Sequence, residues 1–344
     1  CLAAADCDVR RAATAAMSLL PPDVIEPHAA KLAELLCDSE TEVACAAAIS
    51  LGRLGSSSLL YTPRLIERMC TKDSSMREAV MSTFERAGAG VGQHVARCLR
   101  DERAEVRSAA AEVMRRLNHS GSCAATIYLA ELSACLQDTD SRVLRTVIEI
   151  LSAIGFAALS PNIAKLEGLM ECSDQEVRLA AVEALGRFFV DRTNHELGLC
   201  AERDGASMSL SQSGVSALVK RFSVDGSPEV RLAAAHALLE MGSDEITLHL
   251  SDFAARVTDT DKRVRRAVLV AIGKAGLASL PHASTIASRL ETDECAGVRE
   301  AAAAALGVLG PEGASYAEVL GKCACEDSSD SVRAAAADAL HSVL

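Results

Sequence analysis

The chain has no tryptophan, and only 3% of its 344 residues are aromatic. Bulky rings therefore cannot fill much of its core, and close packing of small side chains is the alternative. Alanine supplies those side chains, so we expect helices that lie close together. No uninterrupted apolar run has the length that a membrane-spanning helix needs, since the nearest, residues 150–164, holds Gly155 and Pro161. The sequence predicts no transmembrane segment.

Positive charge is also scarce, with 35 lysines and arginines against 47 acidic residues and a formal net charge of −12. Binding to the phosphate backbone of a nucleic acid requires a basic face, so we do not expect nucleic acid as the main partner. A local basic strip remains compatible with this balance. Thirteen scattered cysteines, an odd number, favour reduced thiols in an intracellular compartment, either the cytoplasm or an organelle interior.

Chemical motifs are equally rare. There is no glycine-rich phosphate loop, no nucleophile phrase and no C-x-x-C pair, since a single residue separates Cys323 from Cys325. His195–Glu196 is the one His-Glu dipeptide, whereas a metal centre needs several converging ligands. We therefore predict no catalytic residue, no metal site and no cofactor.

What the chain has in abundance is one phrase, written in residues 293–310 as D-E-C-A-G-V-R-E-A-A-A-A-A-L-G-V-L-G. Val298, Ala302 and Leu306 recur at helical spacing and form an apolar stripe. Asp293 precedes the helix, where a carboxylate accepts backbone N–H bonds. Gly310 ends it, because glycine enters the left-handed conformation at little cost. The phrase predicts a turn, one helix and a glycine stop.

The same phrase recurs along the chain, mostly at a spacing of 34 residues. Its valine slot is occupied by Val9, Val43, Met76, Val106, Val143, Val177, Val230, Val264, Val298 and Val332. One step, from Val177 to Val230, is 53 residues long and exceeds the usual 34 by 19, which indicates an insertion loop at 191–211. A fixed period of this size is typical of stacked two-element units.

We therefore predict an all-α fold, an α-solenoid (superhelix) of about ten two-helix repeats in a single array over 1–344. The predicted repeats are 1–21 (partial), 22–55, 56–88, 89–118, 119–155, 156–190, 212–242, 243–276, 277–310 and 311–344. The chain opens with Cys1 close to a second helix, and neither end shows a polar cap. We expect a fragment, a processed chain or part of a longer array.

The phrase D-x4-V-R-x2-A-x3-A-L-G-x2-G resembles a HEAT repeat and is most similar to the short HEAT-like repeats of phycobilisome lyases. Residues 259–265, 293–299 and 327–333 carry the resemblance best. It implies a solenoid with first helices on the convex side and second helices on the concave side. It also implies a structural ladder between adjacent repeats, in which Asp293 pairs with Arg265 or Arg299. The ladder residues are Asp38, Arg77, Asp101, Arg107, Asp138, Arg178, Asp225, Arg231, Asp259, Arg265, Asp293, Arg299, Asp327 and Arg333.

Several cations are expected on the concave side, some of them ten residues after the valine slot. On an acidic protein such a row is suited to bind an acidic partner surface. A simpler interpretation is pairing along the helix, because Glu112–Arg116 and Glu183–Arg187 are each four residues apart. The candidate partner-binding residues are Arg53, Arg86, Arg116, Arg142, Arg145, Arg187, Arg263, Arg266 and Lys274.

These features favour a non-enzymatic scaffold for protein–protein interaction. It would be a structural or assembly subunit of a larger complex and bind one or more proteins on its concave helical surface. The resemblance implies an alternative, a phycobiliprotein chromophore lyase or a lyase-like chaperone subunit. A remoter alternative is an enzyme similar to deoxyhypusine hydroxylase, a HEAT-repeat protein that binds iron through several His-Glu pairs.

Overall fold

The computed structural model describes residues 1–71, 73–87, 90–119, 124–196 and 212–344. Within these ranges every regular element is helical, and no strand occurs. The fold class predicted from the repeat period, an all-α solenoid, is confirmed. Backbone contacts divide the chain into two compact units, Cys1–Ala158 and Leu159–Leu344.

The helices of the first unit alternate between short first helices and longer second helices. They are α1 (Cys7–Met17), α2 (Pro22–Ile25), α3 (Ala29–Leu35), α4 (Thr41–Gly52), α5 (Thr62–Met69), α6 (Ser74–Ala87), α7 (Val91–Cys98), α8 (Ala104–His119), α9 (Ala124–Ile127), α10 (Leu129–Ala134) and α11 (Ser141–Ile154). The short helix α12 (Phe156–Leu159) contains the point in the chain at which the two units divide.

The second unit also alternates between first and second helices. Its helices are α13 (Ile163–Leu169), α14 (Gln175–Glu196), α15 (Gln212–Val224), α16 (Pro228–Glu240), α17 (Ser243–Leu248), α18 (Leu250–Ala255), α19 (Lys262–Lys274), α20 (Ala283–Thr292), α21 (Ala296–Gly307), α22 (Ala317–Glu326) and α23 (Asp330–Val343). Short 3-10 segments such as Gly276–His282 and Gly310–Tyr316 lead from a second helix into the next first helix.

Consecutive second helices stack on one another, because their valine slots and small residues face the neighbouring repeat. In the second unit α14 packs on α16, α16 on α19, α19 on α21, and α21 on α23. Val177, Val264 and Val298 are completely buried in this stack. Val9, in the same slot of α1, is instead 40% exposed. The stripe read from the sequence is therefore the core of each unit.

The glycine stops take the expected backbone conformation. Gly55, Gly155, Gly242, Gly276 and Gly310 all have positive φ, between 55° and 111°, where a side chain would be strained. Gly88, which ends the predicted repeat 56–88, lies outside the described residues. These stops let the chain turn sharply from the second helix of one repeat toward the first helix of the next.

The longest helix runs past its predicted end. Residues 188–190 read Phe-Phe-Val instead of a glycine stop, and α14 continues to Glu196. Six residues of the range predicted as an insertion loop are therefore helical, and residues 197–211 lie outside the described ranges. Because α14 contacts α16 and α13 contacts α15, the stacking of repeats six and seven is preserved across the insertion.

A second type of glycine, nine residues after the valine slot, permits close approach of neighbouring second helices. A Cβ built on Gly307 would lie 2.9 Å from the Cα of Ala339, whereas one built on Gly273 would lie 3.5 Å from the Cα of Ala305. The first distance demands that α21 and α23 move apart, and the second is an ordinary contact. The two glycines occupy equivalent positions in the repeat but differ in the space available for an added side chain.

Alanine substitution at these two glycines is expected to have opposite effects. Gly273→Ala should raise the free energy of unfolding by up to about 1 kcal/mol, because alanine favours the helix. Gly307→Ala should lower it by about 1–3 kcal/mol, because the added methyl overpacks the contact. Urea unfolding followed by far-UV circular dichroism measures both. Changes of the same sign would show that the spacing at Gly307 is not limiting.

Candidate interaction surface

The turn between first and second helices is organised by a buried arginine–aspartate pair, seen most clearly at Arg265 and Asp293. Arg265 donates from Nε to Oδ2 of Asp293 at 2.7 Å and from Nη2 to Oδ1 at 2.8 Å. Its Nη1 donates to the backbone oxygen of Asp259 at 3.0 Å. Asp293 also accepts a hydrogen bond from the backbone N–H of Cys295. One arginine thus ties its own turn to the turn of the next repeat.

Of the two partners that the sequence left open for the Asp293 carboxylate, the structure places Arg265 against it. Arg299 donates instead to the backbone oxygen of Asp293 and directs its bidentate pair to Asp327. The same geometry is present in Arg10–Asp38, Arg107–Asp138, Arg178–Asp225, Arg231–Asp259, Arg265–Asp293 and Arg299–Asp327. We call these six pairs the ladder.

Three ladder candidates have other partners. Arg77 donates to the backbone oxygen of Thr71, and the Asp101 carboxylate accepts from Arg103. These two candidates belong to a step four residues shorter than the usual period, which changes the distance between the turns. Arg333 donates to the backbone oxygen of Asp327 and to the Asp330 carboxylate. Sequence position alone therefore does not ensure a pair between repeats.

The ladder aspartates are held in their ionised form. Burial raises the pKa of Asp293, but the hydrogen bonds from Arg265 and the Cys295 N–H outweigh burial, so the pKa lies below its usual value. The Arg265 guanidinium has a raised pKa, first because of its hydrogen bond to Asp293. The pKa is likewise lowered at Asp38, Asp138, Asp225, Asp259 and Asp327. These pairs are ionic at neutral pH.

Where the arginine of the phrase is missing, the aspartate of the following turn is missing too. Ala44 occupies the arginine slot of the second repeat, and Thr71 occupies the aspartate slot that follows. The next such case in the sequence is Leu144, followed by Cys172. A buried charge without its partner is costly, so joint absence is what a structural role requires. Both exceptions are visible in the sequence, but their coordination becomes apparent only once the pairs between repeats are known.

Most of the predicted partner-binding cations are already engaged within the chain. Arg53 donates to the backbone oxygen of Leu20. The carboxylate partners are Glu112 and Glu78 for Arg116, Asp140 for Arg142, Glu149 for Arg145, and Asp261 and Glu229 for Arg263. These contacts favour local pairing for those residues. Arg86, Arg266 and Lys274 are exposed without an ion pair in the described structure; the latter two share α19, whereas Arg86 belongs to the first unit.

The ninth candidate, Arg187, lines a groove in the second unit. The groove lies across the exposed faces of α14 and α16 and has a volume of about 480 Å³. Leu179, Val190, Leu232 and Ala233 give it an apolar lining. Its charged and polar lining comes from Glu183, Arg187, Glu229, His236, Glu240 and Arg263. An apolar depression bordered by charge is suited to receive side chains of another protein.

Close helix packing forms the floor of this groove. A Cβ on Gly186 would lie 2.8 Å from the Cβ of Ala237, so α14 and α16 meet without bulky side chains between them. Sequence reasoning missed the groove, although the A-L-G phrase at residues 184–186 was visible and identifies the point of close approach. The depth of a groove between two helices depends on which of their facing residues are small. Predicting it therefore requires knowing which helices stack on each other.

The described residues give little support for metal or thiol chemistry. Asp6, Cys7 and Asp8 form the one group there whose ligand atoms lie close together, and two of the three residues are exposed. The side chains of His195 and Glu196 are outside the described part. Burial raises the pKa of the Cys135 thiol to about 11 and also raises that of Cys98 and Cys323. These thiols are protonated at neutral pH and therefore poor nucleophiles.

No helix in the described ranges is both long and apolar enough to cross a membrane. Two protein-family models match the chain. One describes HEAT repeats and matches residues 93–186. The other describes the sister chromatid cohesion protein PDS5 and matches residues 147–329, just over half of the chain.

No curated protein matches the chain. Among solved structures, it is similar to a chain of the complex in which Kap95p binding induces the switch loops of RanGDP to adopt the GTP-bound conformation. The identity is 14% and the TM-score 0.55. The match covers 96% of this chain and 47% of that one, so this chain spans about half the length of its structural neighbour. At this identity the likeness concerns the fold alone.

Proposed function

Because this chain belongs to the family of the sister chromatid cohesion protein PDS5 and contains HEAT repeats, we propose that it is a non-enzymatic protein-interaction scaffold. It binds partner proteins on the exposed face of its second helices, inside the cell and within a larger assembly. Its family name makes sister chromatid cohesion the first process in which to seek those partners. Its structural neighbour comes from a complex between two proteins, an arrangement that we extend to this chain.

One observation carries the proposal, the groove across α14 and α16. Its apolar lining is accessible in the free chain, and a partner that inserts aliphatic or aromatic side chains would remove that lining from water. Glu240, exposed beside it, adds a charge that can fix the orientation of the partner. A surface of this kind binds by shape and burial, and it requires no reactive group.

The groove is tested with a photo-crosslinking residue at Glu240 in the full chain, followed by capture from native extract and mass spectrometry. Leu232→Asp places a charge in the apolar lining, and Leu277→Asp is the matched control on an exposed leucine of the 3-10 segment Gly276–His282. We expect a stoichiometric protein to crosslink to the parent chain and to the Leu277→Asp variant. The yield of this crosslinked protein should fall at least about tenfold in the Leu232→Asp variant.

One result would contradict the groove as the binding surface, and another would contradict the scaffold function itself. One is a captured protein that Leu232→Asp does not affect, because the groove would then not be the binding surface. The other is a chain that is isolated alone with a coloured or metal ligand, which would favour the lyase or the iron enzyme. Absorbance spectroscopy and metal analysis of the purified chain distinguish these alternatives from each other.

A further inference from the structure

Helix α19 carries several cations, and some of them form no ion pair among the contacts of the described chain. Its 13 residues, KRVRRAVLVAIGK, include five cations and no acidic residue. Arg265 is committed to Asp293 in the ladder, and Arg263 pairs with Asp261 and Glu229. Arg266 and Lys274 are exposed and have no ion pair among the contacts of the described chain. Lys262 is likewise exposed and without an ion pair there, so three cations remain free on one helix of a chain whose net charge is −12.

Apolar side chains are exposed between and beside these cations. Arg266, Val270 and Lys274 follow one another at four-residue spacing, which places them along one side of α19. Val270 is 42% exposed and Val308 of α21 is 53% exposed, with Ala304 also exposed. Val270 and Ala304 occupy equivalent positions of consecutive repeats, as do Lys274 and Val308. We call Arg266, Val270, Lys274, Ala304 and Val308 the basic-apolar strip.

The helices beneath the strip are packed firmly, so the strip is a fixed surface. α19 and α21 form one of the larger helix contacts in the second unit. The Arg266 side chain lies against the start of α21, with its Cδ 3.7 Å from the Cβ position of Gly297. Arg266 and Lys274 are eight residues apart, a rise of about 12 Å along the helix. The two residues are therefore anchored at a defined spacing along the helix, with Val270 between them.

We propose that the basic-apolar strip docks an acidic amphipathic segment of a partner protein. Carboxylates of that segment pair with Arg266 and Lys274, and its apolar side chains cover Val270, Ala304 and Val308. The inference rests on the proposed scaffold function and adds the chemistry of one partner segment. It concerns a different surface from the groove across α14 and α16, so the two can fail separately.

Charge on either side of the strip favours a narrow acidic segment over a nucleic acid. Glu240 of α16 stands at the repeat position of Lys274, and Glu300 of α21 stands at that of Arg266. A phosphate backbone needs a broad basic surface, and these glutamates limit the basic surface to the width of one helix. A segment whose carboxylates lie on a single line, with apolar residues beside them, avoids both glutamates.

The probe for this site is a synthetic amphipathic helical peptide with two glutamates spaced as Arg266 and Lys274 are. Its binding to the full chain is measured by fluorescence anisotropy at low and high salt. A peptide with lysines in place of the glutamates is the negative control, and a single-stranded oligonucleotide tests the nucleic-acid alternative. We expect the acidic peptide alone to bind, with weaker binding at high salt because the attraction is screened.

Chain variants assign the binding to the strip. Arg266→Ala combined with Lys274→Ala should weaken the binding of the acidic peptide by about tenfold or more, since both charge contacts are lost. Val270→Ser with Val308→Ser should also weaken it, because the apolar cover is lost. Arg86→Ala removes a cation of the first unit that is also exposed and has no ion pair in the described structure, and it should change the affinity by less than about twofold.

The proposal is overturned if the two peptides bind equally, if the oligonucleotide binds better, or if Arg86→Ala weakens binding as much as the double variant. It is also overturned if the acidic peptide does not bind at all. In that case, capture that still depends on Leu232 would leave the scaffold function intact. If the acidic peptide does not bind and capture does not depend on Leu232, the scaffold function and the strip are both contradicted.

Discussion

Replacing Arg265 with leucine is expected to lower the free energy of unfolding by about 3–5 kcal/mol, because it leaves a buried carboxylate without its main partner. The side chain of Asp293 is 1% exposed and that of Arg265 is 8% exposed. Arg289 lies 4.0 Å from the same carboxylate, too far to replace two short hydrogen bonds. Leucine keeps much of the apolar stem of arginine, so the lost charge dominates the effect.

A double-mutant cycle separates the pair from its surroundings. Asp293→Asn removes the negative charge but keeps an oxygen that can accept the N–H of Cys295. The double variant Arg265→Leu/Asp293→Asn has no buried charge at this step, as in the natural combination of Ala44 and Thr71. We expect the double variant to be more stable than Arg265→Leu alone in urea unfolding. Simple addition of the two single effects would show that the pair contributes no coupling.

The ladder also predicts how stability depends on pH. The pKa of each ladder aspartate is lower in the folded chain than its ordinary value of about 3.9. Its contribution is therefore fully present above about pH 4 and is lost as the pH falls through the folded pKa. Thermal unfolding as a function of pH should show a steep loss below pH 4. The Arg265→Leu/Asp293→Asn variant should lose less, since one of the six pairs is absent.

Replacing Phe222 with alanine is expected to lower the free energy of unfolding by about 3–5 kcal/mol, because a large buried ring leaves a cavity. Phe222 of α15 and Phe253 of α18 are both completely buried, and their ring centroids are 4.8 Å apart. The chain has only six phenylalanines, so few rings anchor the first helices to each other. Urea unfolding followed by far-UV circular dichroism measures the lost stability. Tryptophan fluorescence cannot serve as the probe, because the chain has no tryptophan.

Two comparisons define the contribution of the ring pair. Phe222→Leu should cost clearly less than Phe222→Ala, because leucine fills part of the space. A cycle with Phe253→Leu should give a coupling of about 0.5–1.5 kcal/mol if the two rings interact beyond simple burial. Leu248→Ala, at a leucine that is 74% exposed, should change stability by less than about 0.5 kcal/mol. Equal costs at Leu248 and Phe222 would show that the ring pair is not an anchor.

Much of the fold could be read from the sequence because the repeat gives the same information many times. The valine slot, the small residues around it and the glycine stop each follow from local geometry. The resemblance to HEAT repeats is confirmed by the matching family model, whereas similarity to the lyase-type repeats stays a prediction. The end of α14 was less predictable, since Phe188, Phe189 and Val190 supply no stop.

The candidate site was harder to predict, because exposed charges choose partners that sequence distance does not reveal. Glu112–Arg116 follows the four-residue rule, but Arg263–Glu229 and Arg116–Glu78 join different repeats. The groove depends on Gly186 meeting Ala237, a contact between helices separated by the insertion. The identity of a partner depends on surfaces that the partner itself contributes, and the sequence of one chain does not contain them.

The spacing within the ladder has a consequence for how such a chain can evolve. Arg231–Asp259, Arg265–Asp293 and Arg299–Asp327 each join residues 28 positions apart, whereas Arg178–Asp225 joins residues 47 apart. The 19 extra residues between Arg178 and Asp225 leave the hydrogen bonds of this pair unchanged. A repeat that carries both residues offers an arginine to its successor and an aspartate to its predecessor, so a duplicated or deleted unit of this kind meets a compatible neighbour on both sides. Recombination can therefore change the length of the protein, and with it the reach of its surface, without inventing a new interface.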